Sequence, residues 1–417
     1  MGTYKDKGGS FWEDLGDIIK GGGPRILFLM LGRSILVGVS LLLLLLLLLD
    51  HSPSDRDEGG IHSGESGPLE NIIQGKRTAV CLVGEARHLE LTGPSIRKYV
   101  LETLKNSSVF INMPLDSNSY KMFVLDGGGG SYNFTSANIF SPQYIWETKV
   151  SRETLTAKKS PRALQGLLQY FALNEGCGTM IRQQEELQGF KYDWIVRTRL
   201  DTFWTAPIPV EYRNSTYTVP RGTRYGGYND RLGVGDRKTS RIALQRLSAL
   251  PLLHSAGYRS ENSESVYKAQ LKLENVKVAE DEFSFCVLSN RSFPYPPGRH
   301  GALVASIQGK GPLNGAYCRP CRPSESSSRS REMVERMVDA WIPTEAAEVE
   351  VCDGSGGWEA GWPEVFDAAA GEEAAALRKE SDGISKAECV SRLARFKDRW
   401  SSWKGPSTTL ICESMDR

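Results

Sequence analysis

The sequence predicts an α/β domain with a mixed, mostly parallel sheet, set behind an N-terminal membrane anchor and followed by a small α-rich C-terminal region. Three observations predict it. A strand–helix–strand order opens near residue 78, a 24-residue apolar run precedes it at Ile26–Leu49, and the chain turns acidic and tryptophan-bearing after a serine-rich stretch at 324–330. A chain of 417 residues is expected to hold about two folded units plus connecting segments. The net charge of +1 lacks the basic excess of a nucleic-acid binder, so no nucleic-acid polymer is expected as a partner.

The N-terminal run ends in nine consecutive leucines, Leu41–Leu49. As a helix it reaches about 36 Å, enough to cross a hydrocarbon core of about 30 Å. Arg33 falls in its N-terminal third, where a long side chain can snorkel to the headgroups. A soluble core helix would not carry leucine on every face. A cleaved signal peptide would have a shorter apolar core and small residues at its end, whereas Asp50-His51-Ser52-Pro53 follows here. Lys5, Lys7, Lys20 and Arg25 precede the run, and residues 50–74 contain only Arg56. The positive-inside rule then predicts a type II signal anchor: cytosolic tail 1–25, span 26–49, and everything beyond exported. Gly2 does not read as a myristoylation site, because position 6 is aspartate.

An exported body agrees with two further features. Asn106, Asn133, Asn214 and Asn290 each open an acceptable glycosylation sequon. The eight cysteines all follow the anchor and could pair in an oxidising lumen, though their number does not reveal the connectivity.

Residues 50–75, rich in Asp, Ser, Gly and Glu, read as a flexible stem. Thr78–Val83 is a short apolar run suited to a buried parallel strand. A helix is expected after Thr92-Gly-Pro94, with Ile96, Tyr99, Val100 and Leu104 at helical spacing, and Ser108–Asn112 reads as a second strand. That order suggests a right-handed βαβ unit. Residues 161–189 look helical, with a break expected at Gly176 or Gly178. Tyr192–Val196 continues as a strand, followed by a short strand at Tyr217–Val219. Gly226–Gly235 reads as a glycine-rich loop entering a helix at Ser240–Leu250, and Val276–Val278 and Phe283–Leu288 are further strand candidates. The main domain is placed at 76–320; 321–417 reads as a linker and an α-rich appendage.

The chemistry concentrates at two strand ends. In an open α/β sheet, ligands bind outside the carboxyl ends of the strands. Gly84-Glu-Ala-Arg87-His88 follows the first strand, and Arg197-Thr-Arg199-Leu-Asp201 ends the strand that opens at Tyr192. Strand alternation puts Arg197, Arg199 and Asp201 on one side. Arginine suits a phosphate because its planar guanidinium donates two parallel hydrogen bonds, and glycine lets a ligand approach the backbone. The pattern fits a phosphorylated donor such as a nucleotide sugar, and equally a structural ion network. Asp201 invites a divalent cation, Mg²⁺ or Mn²⁺, bridging a diphosphate; yet position 199 is arginine, so no Asp-x-Asp is present. Asn229 and Asp230 could enter a cleft or serve only as turn residues. Glu264 opens a helix, where a first-turn acid is also expected for dipole reasons. His88, His254 and His300 show no metal-ligand spacing. Cys318-Arg-Pro-Cys321 lacks the following helix of a redox dithiol and the second ligand pair of a zinc site, which favours disulfides.

Ala79–Arg87, Tyr192–Asp201, Asn229–Gly235 and Ser263-Glu264 occur in an order and spacing that resemble a plant family of type II membrane proteins of unassigned function. That family is in turn similar to nucleotide-sugar glycosyltransferases of the GT-A-like class. The resemblance covers roughly residues 76–320. It implies a Golgi luminal, hexosyltransferase-like enzyme with a nucleotide sugar and a glycan acceptor as partners. It also implies Gly84 and Arg87 near the donor nucleotide, and Arg197, Arg199 and Asp201 near its diphosphate. Asn229, Asp230 and Glu264 would line the acceptor side, with Asp230 or Glu264 as acceptor base. The missing Asp-x-Asp leaves metal dependence open, and a luminal binding or scaffold protein retaining such a fold is the competing expectation.

Overall fold

In the computed structural model, the structure describes residues 76–156, 163–209, 211–298, 301–309, 312–323, 332 and 350–416. The expected tail, anchor, stem and serine-rich linker lie outside them. No helix among the described residues is long and apolar enough to cross a membrane.

The central sheet grows from β1 (Thr78–Val83), β2 (Ser108–Pro114), β3 (Asn133–Phe140) and β4 (Trp194–Arg199). It is completed by β6 (Thr216–Pro220), β7 (Leu232–Asp236), β8 (Lys277–Asp281) and β12 (Ser402–Lys404), in the order β12-β3-β2-β1-β4-β7-β6-β8. Neighbours pair in parallel except around β7, which runs antiparallel to both β4 and β6. The chain therefore lays β1, β2 and β3 outward in one direction, then returns to place β4 on the other side of β1. That reversal is a topological switch point, where the crevice outside the strand ends is open to a ligand. A smaller sheet joins β5 (Thr202–Trp204), β9 (Phe285–Leu288), β10 (Val304–Ser306) and β11 (Ala316–Arg319), in the order β10-β11-β9-β5.

Period-two alternation sorts β1 between two cores. Val80 and Leu82 pack with α1 (Leu89–Ile96) and with Leu393, Phe396 and Ile411 from the C-terminal helices. Ala79, Cys81 and Val83 face Leu173, Cys177, Met180 and Ile181 of the long helix α3 (Ala163–Gln188). The short helix α2 (Lys149–Thr154) precedes α3. Helices α4 (Arg237–Leu244), α5 (Leu250–Ser255) and α6 (Ser263–Leu273) follow β7.

Four expectations change. Helix α1 starts at Leu89, ahead of Thr92-Gly-Pro94, and holds Pro94 inside it as its sixth residue, where no N–H is present to bond the carbonyl four residues back. The α-helix ends two residues later and gives way to a π-helical turn at Arg97–Leu101. Helix α3 runs unbroken through Gly176 and Gly178. Gly176 serves packing, since a Cβ there would lie 2.5 Å from Asn112 Nδ2 of β2, whereas one on Gly178 would meet only ordinary contacts at 3.5 Å and beyond. The second half of the glycine-rich loop is strand β7, in which Leu232 and Val234 are buried and the intervening Gly233 lies against the Tyr217 ring. Finally, the C-terminal region is no appendage. Helices α7 (Trp362–Ala370), α8 (Glu372–Gly383), α9 (Lys386–Asp398) and α10 (Thr408–Glu413) cover the α1 side, and β12 extends the central sheet at β3.

All eight cysteines pair, as Cys81–Cys177, Cys286–Cys318, Cys321–Cys352 and Cys389–Cys412. Cys318 and Cys321 thus belong to different bridges and form no dithiol, and the closed set fits an oxidising compartment. The four sequon asparagines, Asn106, Asn133, Asn214 and Asn290, are all exposed.

Candidate active site

A cavity of about 1080 Å³ opens at the carboxyl ends of β1 and β4. The register explains the juxtaposition: Val83 pairs with Arg199, so both strands end together and Leu200 N donates to Val83 O at 3.0 Å. Gly84 turns the chain away from β1 at φ +122°, a conformation that suits glycine, and lines the cavity with Glu85 and Arg87. Arg199 lines it from the end of β4 and Asp201 from the turn that follows, beyond the strand whose alternation was expected to carry it. Asp230 and Arg231 line it from the turn before β7, and Ser263 and Glu264 from the first turn of α6. Tyr170 and Leu167 of α3, with Arg291 and Tyr317 beside the smaller sheet, complete the wall.

The expected strand-end residues divide. Arg199 and Asp201 reach the cavity but grip each other, Nε to Oδ1 at 2.8 Å and Nη2 to Oδ2 at 2.6 Å. Arg87 pairs with Glu85 at 2.5 Å. Arg197 does not line the cavity. Buried beneath Tyr170, it donates from Nη1 to the Asp230 carbonyl at 2.5 Å and props the turn from behind. The alternation read from sequence holds, since both arginines lie on the α3 face, but depth along the strand separates their roles. Both Asp201 carboxylate oxygens accept from Arg199, and no group of three His, Cys, Asp or Glu suited to a metal occurs among the described residues.

Asn229 is likewise removed from the acceptor side. It is fully buried, its Nδ2 donating to Thr223 Oγ1 and the Asn314 carbonyl, and its Oδ1 accepting from Arg231 N. Those bonds fix the turn that presents its two neighbours.

Asp230 and Glu264 do come together with the cavity, in contrasting environments. Asp230 accepts from Arg246 Nη1 at 2.8 Å and from Ser263 Oγ at 2.5 Å. Burial pushes its pKa up, but Arg246, Arg231 and Arg197 outweigh burial and hold it at about 2. Glu264 faces the opposite balance. Burial and the Asp230 charge raise it to about 7, with Arg231 opposing from 3.9 Å. Two carboxylates with pKa values pushed apart are a recurring basis for acid–base chemistry. The loop before them is built to fit: Gly227 sits so close to α6 that a Cβ would overlap the Glu264 carbonyl.

Arg231, Arg246, Tyr170, Ser263, Arg291 and Tyr317 were not singled out by the sequence reading. Arg231 adjoins Asn229-Asp230 and could have been found there. Ser263 stands beside Glu264 and could have been found likewise, whereas Arg246, Tyr170, Arg291 and Tyr317 arrive from distant segments and carry no local signal. Arg231 is buried between the Tyr225 and Tyr317 rings, 5.8 and 5.3 Å from their centroids, and its Nη1 has no hydrogen-bond partner. Arg246 lies 3.8 Å over the Tyr267 ring. Arg197, Arg231 and Arg246 thus surround a single ionised carboxylate, which leaves the cavity floor with excess positive charge.

A mixed α/β domain with a ligand crevice at its switch point is the class that this fold and site define. Residues 73–416 match the family described as a domain of unknown function, DUF7796, and the chain belongs to that family. No curated protein is significantly similar to it.

Proposed function

We propose that this protein is a nucleotide-sugar glycosyltransferase whose body lies in the Golgi lumen, transferring a sugar to a glycan or glycoconjugate. The observation that carries the reading is Arg231, a buried guanidinium whose Nη1 makes no hydrogen bond, lining a switch-point cavity 3.9 Å from Glu264, a carboxylate tuned to about 7. The positive floor suits an anionic diphosphate, and preorganised positive charge is what stabilises such a leaving group. Arg231 and Arg291 are the cavity arginines for that role, because Arg199 and Arg87 already hold Asp201 and Glu85.

In the reaction, the acceptor hydroxyl oxygen attacks the anomeric carbon and its proton passes to the Glu264 carboxylate. The anomeric C–O bond to the diphosphate breaks, and its electron pair leaves on the phosphate oxygen. Glu264 is the better base, since a pKa near the working pH serves proton transfer. Asp230, held at about 2 by three arginines, orients Ser263 and offsets the buried charge. Export is supported by the closed set of four disulfides and the exposed sequons.

One observation favours a second reading, a luminal binding protein without turnover: the paired state of Arg199 and Arg87 leaves fewer donors for a diphosphate. A screen of nucleotide sugars with the purified full-length chain separates the two. Transfer or donor hydrolysis that vanishes in Glu264→Gln is the expected result; tight nucleotide binding with no turnover from any donor would leave the second reading standing.

A further inference from the structure

A second cavity, of about 520 Å³, lies on the other side of Arg87, which lines both. Its wall is aromatic: Trp358 and Trp362 meet edge to face at 5.0 Å, and the His88 ring lies 4.7 Å from Trp358. Both indoles are only half-buried. Its floor is a buried ion pair, Lys121 Nζ to Glu90 Oε2 at 2.9 Å, and Asn118 and Asp382 stand at its sides. The His88 Nε2 is buried without a hydrogen-bond partner. Burial and the nearby Lys121 charge hold that imidazole neutral, its pKa near 4, so it can exchange a hydrogen bond with an uncharged ligand.

We propose that this second cavity is a carbohydrate-binding shelf that seats a pyranose ring against Trp358 and Trp362. A pyranose has an apolar C–H face for an indole and a rim of hydroxyls that both donate and accept. The shelf matches both halves, with an amide, a carboxylate, an imidazole and an ion pair around the rings. A lipid or apolar peptide would bury those polar groups without partners. An anion would find Lys121 and Arg87 already paired with Glu90 and Glu85, and would meet Asp382. The position also fits: Asn290 lines the shelf while its neighbour Arg291 lines the main cavity, so a glycan on the shelf extends towards the transfer site. The sugar has two possible sources, a free acceptor glycan or the chain's own glycan on the exposed sequon residue Asn290. The shelf names the acceptor class for the proposed transferase and rests on that reading only for turnover, not for binding.

The test is tryptophan fluorescence of the full-length chain in detergent, titrated with N,N′-diacetylchitobiose and a panel of hexose and pentose disaccharides. Wild type, Asn290→Gln, Trp362→Ala and Asp382→Ala are compared, each with a thermal melt. A saturable response is expected, weakened about ten-fold in Trp362→Ala by loss of an aromatic contact. Asp382→Ala removes a half-exposed carboxylate that also accepts from Arg378 Nη1 at 3.1 Å. Arg378 keeps both Asp367 oxygens, so the melt is expected to hold, with binding weakened about three-fold or more through one lost hydrogen bond. A response in both wild type and Asn290→Gln identifies a free acceptor; a response only after Asn290→Gln identifies the chain's own glycan as the occupant. No response in either background, or a response undiminished in the folded variants, overturns the shelf. Saccharide binding with no transfer from any donor would sink the transferase reading and leave the shelf intact.

Discussion

Arg199 and Asp201 form a two-bond fork at the rim of the main cavity, with Asp201 nearly buried and Arg199 30% exposed. Their pairing keeps Asp201 ionised, for although burial raises its pKa, the Arg199 charge and hydrogen bonds lower it further. Asp201→Asn removes the charge and leaves the guanidinium with a weaker partner. Stability should fall by about 1–3 kcal/mol, the scale of a charge-assisted hydrogen bond, as read by urea unfolding. Nucleotide affinity should hold within a few-fold, because in the proposed mode Arg231 and Arg291, not Arg199, meet the diphosphate. Loss of affinity with unchanged stability would return Arg199 and Asp201 to the donor site.

Asp230→Asn reaches deeper. Arg246 is fully buried, and removing its carboxylate leaves an uncompensated charge, which costs about 3–5 kcal/mol. The pH dependence adds a second signature. With a folded pKa of about 2, below the ordinary value of 3.8, Asp230 contributes stability that is present above 3.8 and lost as pH falls through 2. Acid melts should therefore lose part of their slope below pH 3.8 in the variant; an unchanged slope would remove Asp230 from the network.

Glu264 has the opposite sign. Its folded pKa of about 7 exceeds the ordinary 4.5, so its contribution to stability is complete below 4.5 and is lost as pH rises through 7. Glu264→Gln should flatten the decline in melting temperature across that window. Turnover of the wild type should rise with pH through about 7 as the base ionises, and the variant should lose about 10²–10⁴-fold in kcat. A variant with wild-type kcat would dismiss Glu264 as base.

Gly227→Ala tests the same residue without touching its carboxylate. The added Cβ meets backbone atoms of Glu264 and Ser265, which cannot swing aside as a flexible side chain could. The first turn of α6 must shift, and small misplacements at a reacting group are costly, about 10²-fold for 1 Å. The expected outcome is a folded protein with strongly reduced kcat; full activity would mean that the α6 terminus does not position the base.

Topology and export are checked together. In sealed microsomes, residues beyond Leu49 should resist added protease, and deglycosidase should increase gel mobility through at least one of Asn106, Asn133, Asn214 and Asn290, all exposed. Digestion of that portion would overturn the type II orientation.

The strands were legible where a period-two or fully apolar pattern met a turn signal, as in Thr78–Val83 and in Ser108–Asn112, which the structure extends to Pro114. So was the side of β4 on which Arg197 and Arg199 lie, because alternation along a strand is a local property of the backbone. Glu264 in the first turn of a helix was equally readable. The sequence by itself therefore determined which face each of these side chains takes and which residue types gather at the strand ends. Only the tertiary structure decided what covers each face. Tyr170 of α3 and the Asp230 carbonyl enclose Arg197, the Asn314 carbonyl draws Asn229 inward, and Arg246 reaches Asp230 across an intervening strand and helix. Gly176 of α3 reads as a break because its reason, the side chain of Asn112 on β2, lies 64 residues away (176 − 112). Local pattern encodes direction, whereas burial and ion pairing depend on contacts between segments far apart in the chain, and those contacts set which arginine meets a ligand and which carboxylate can carry a proton.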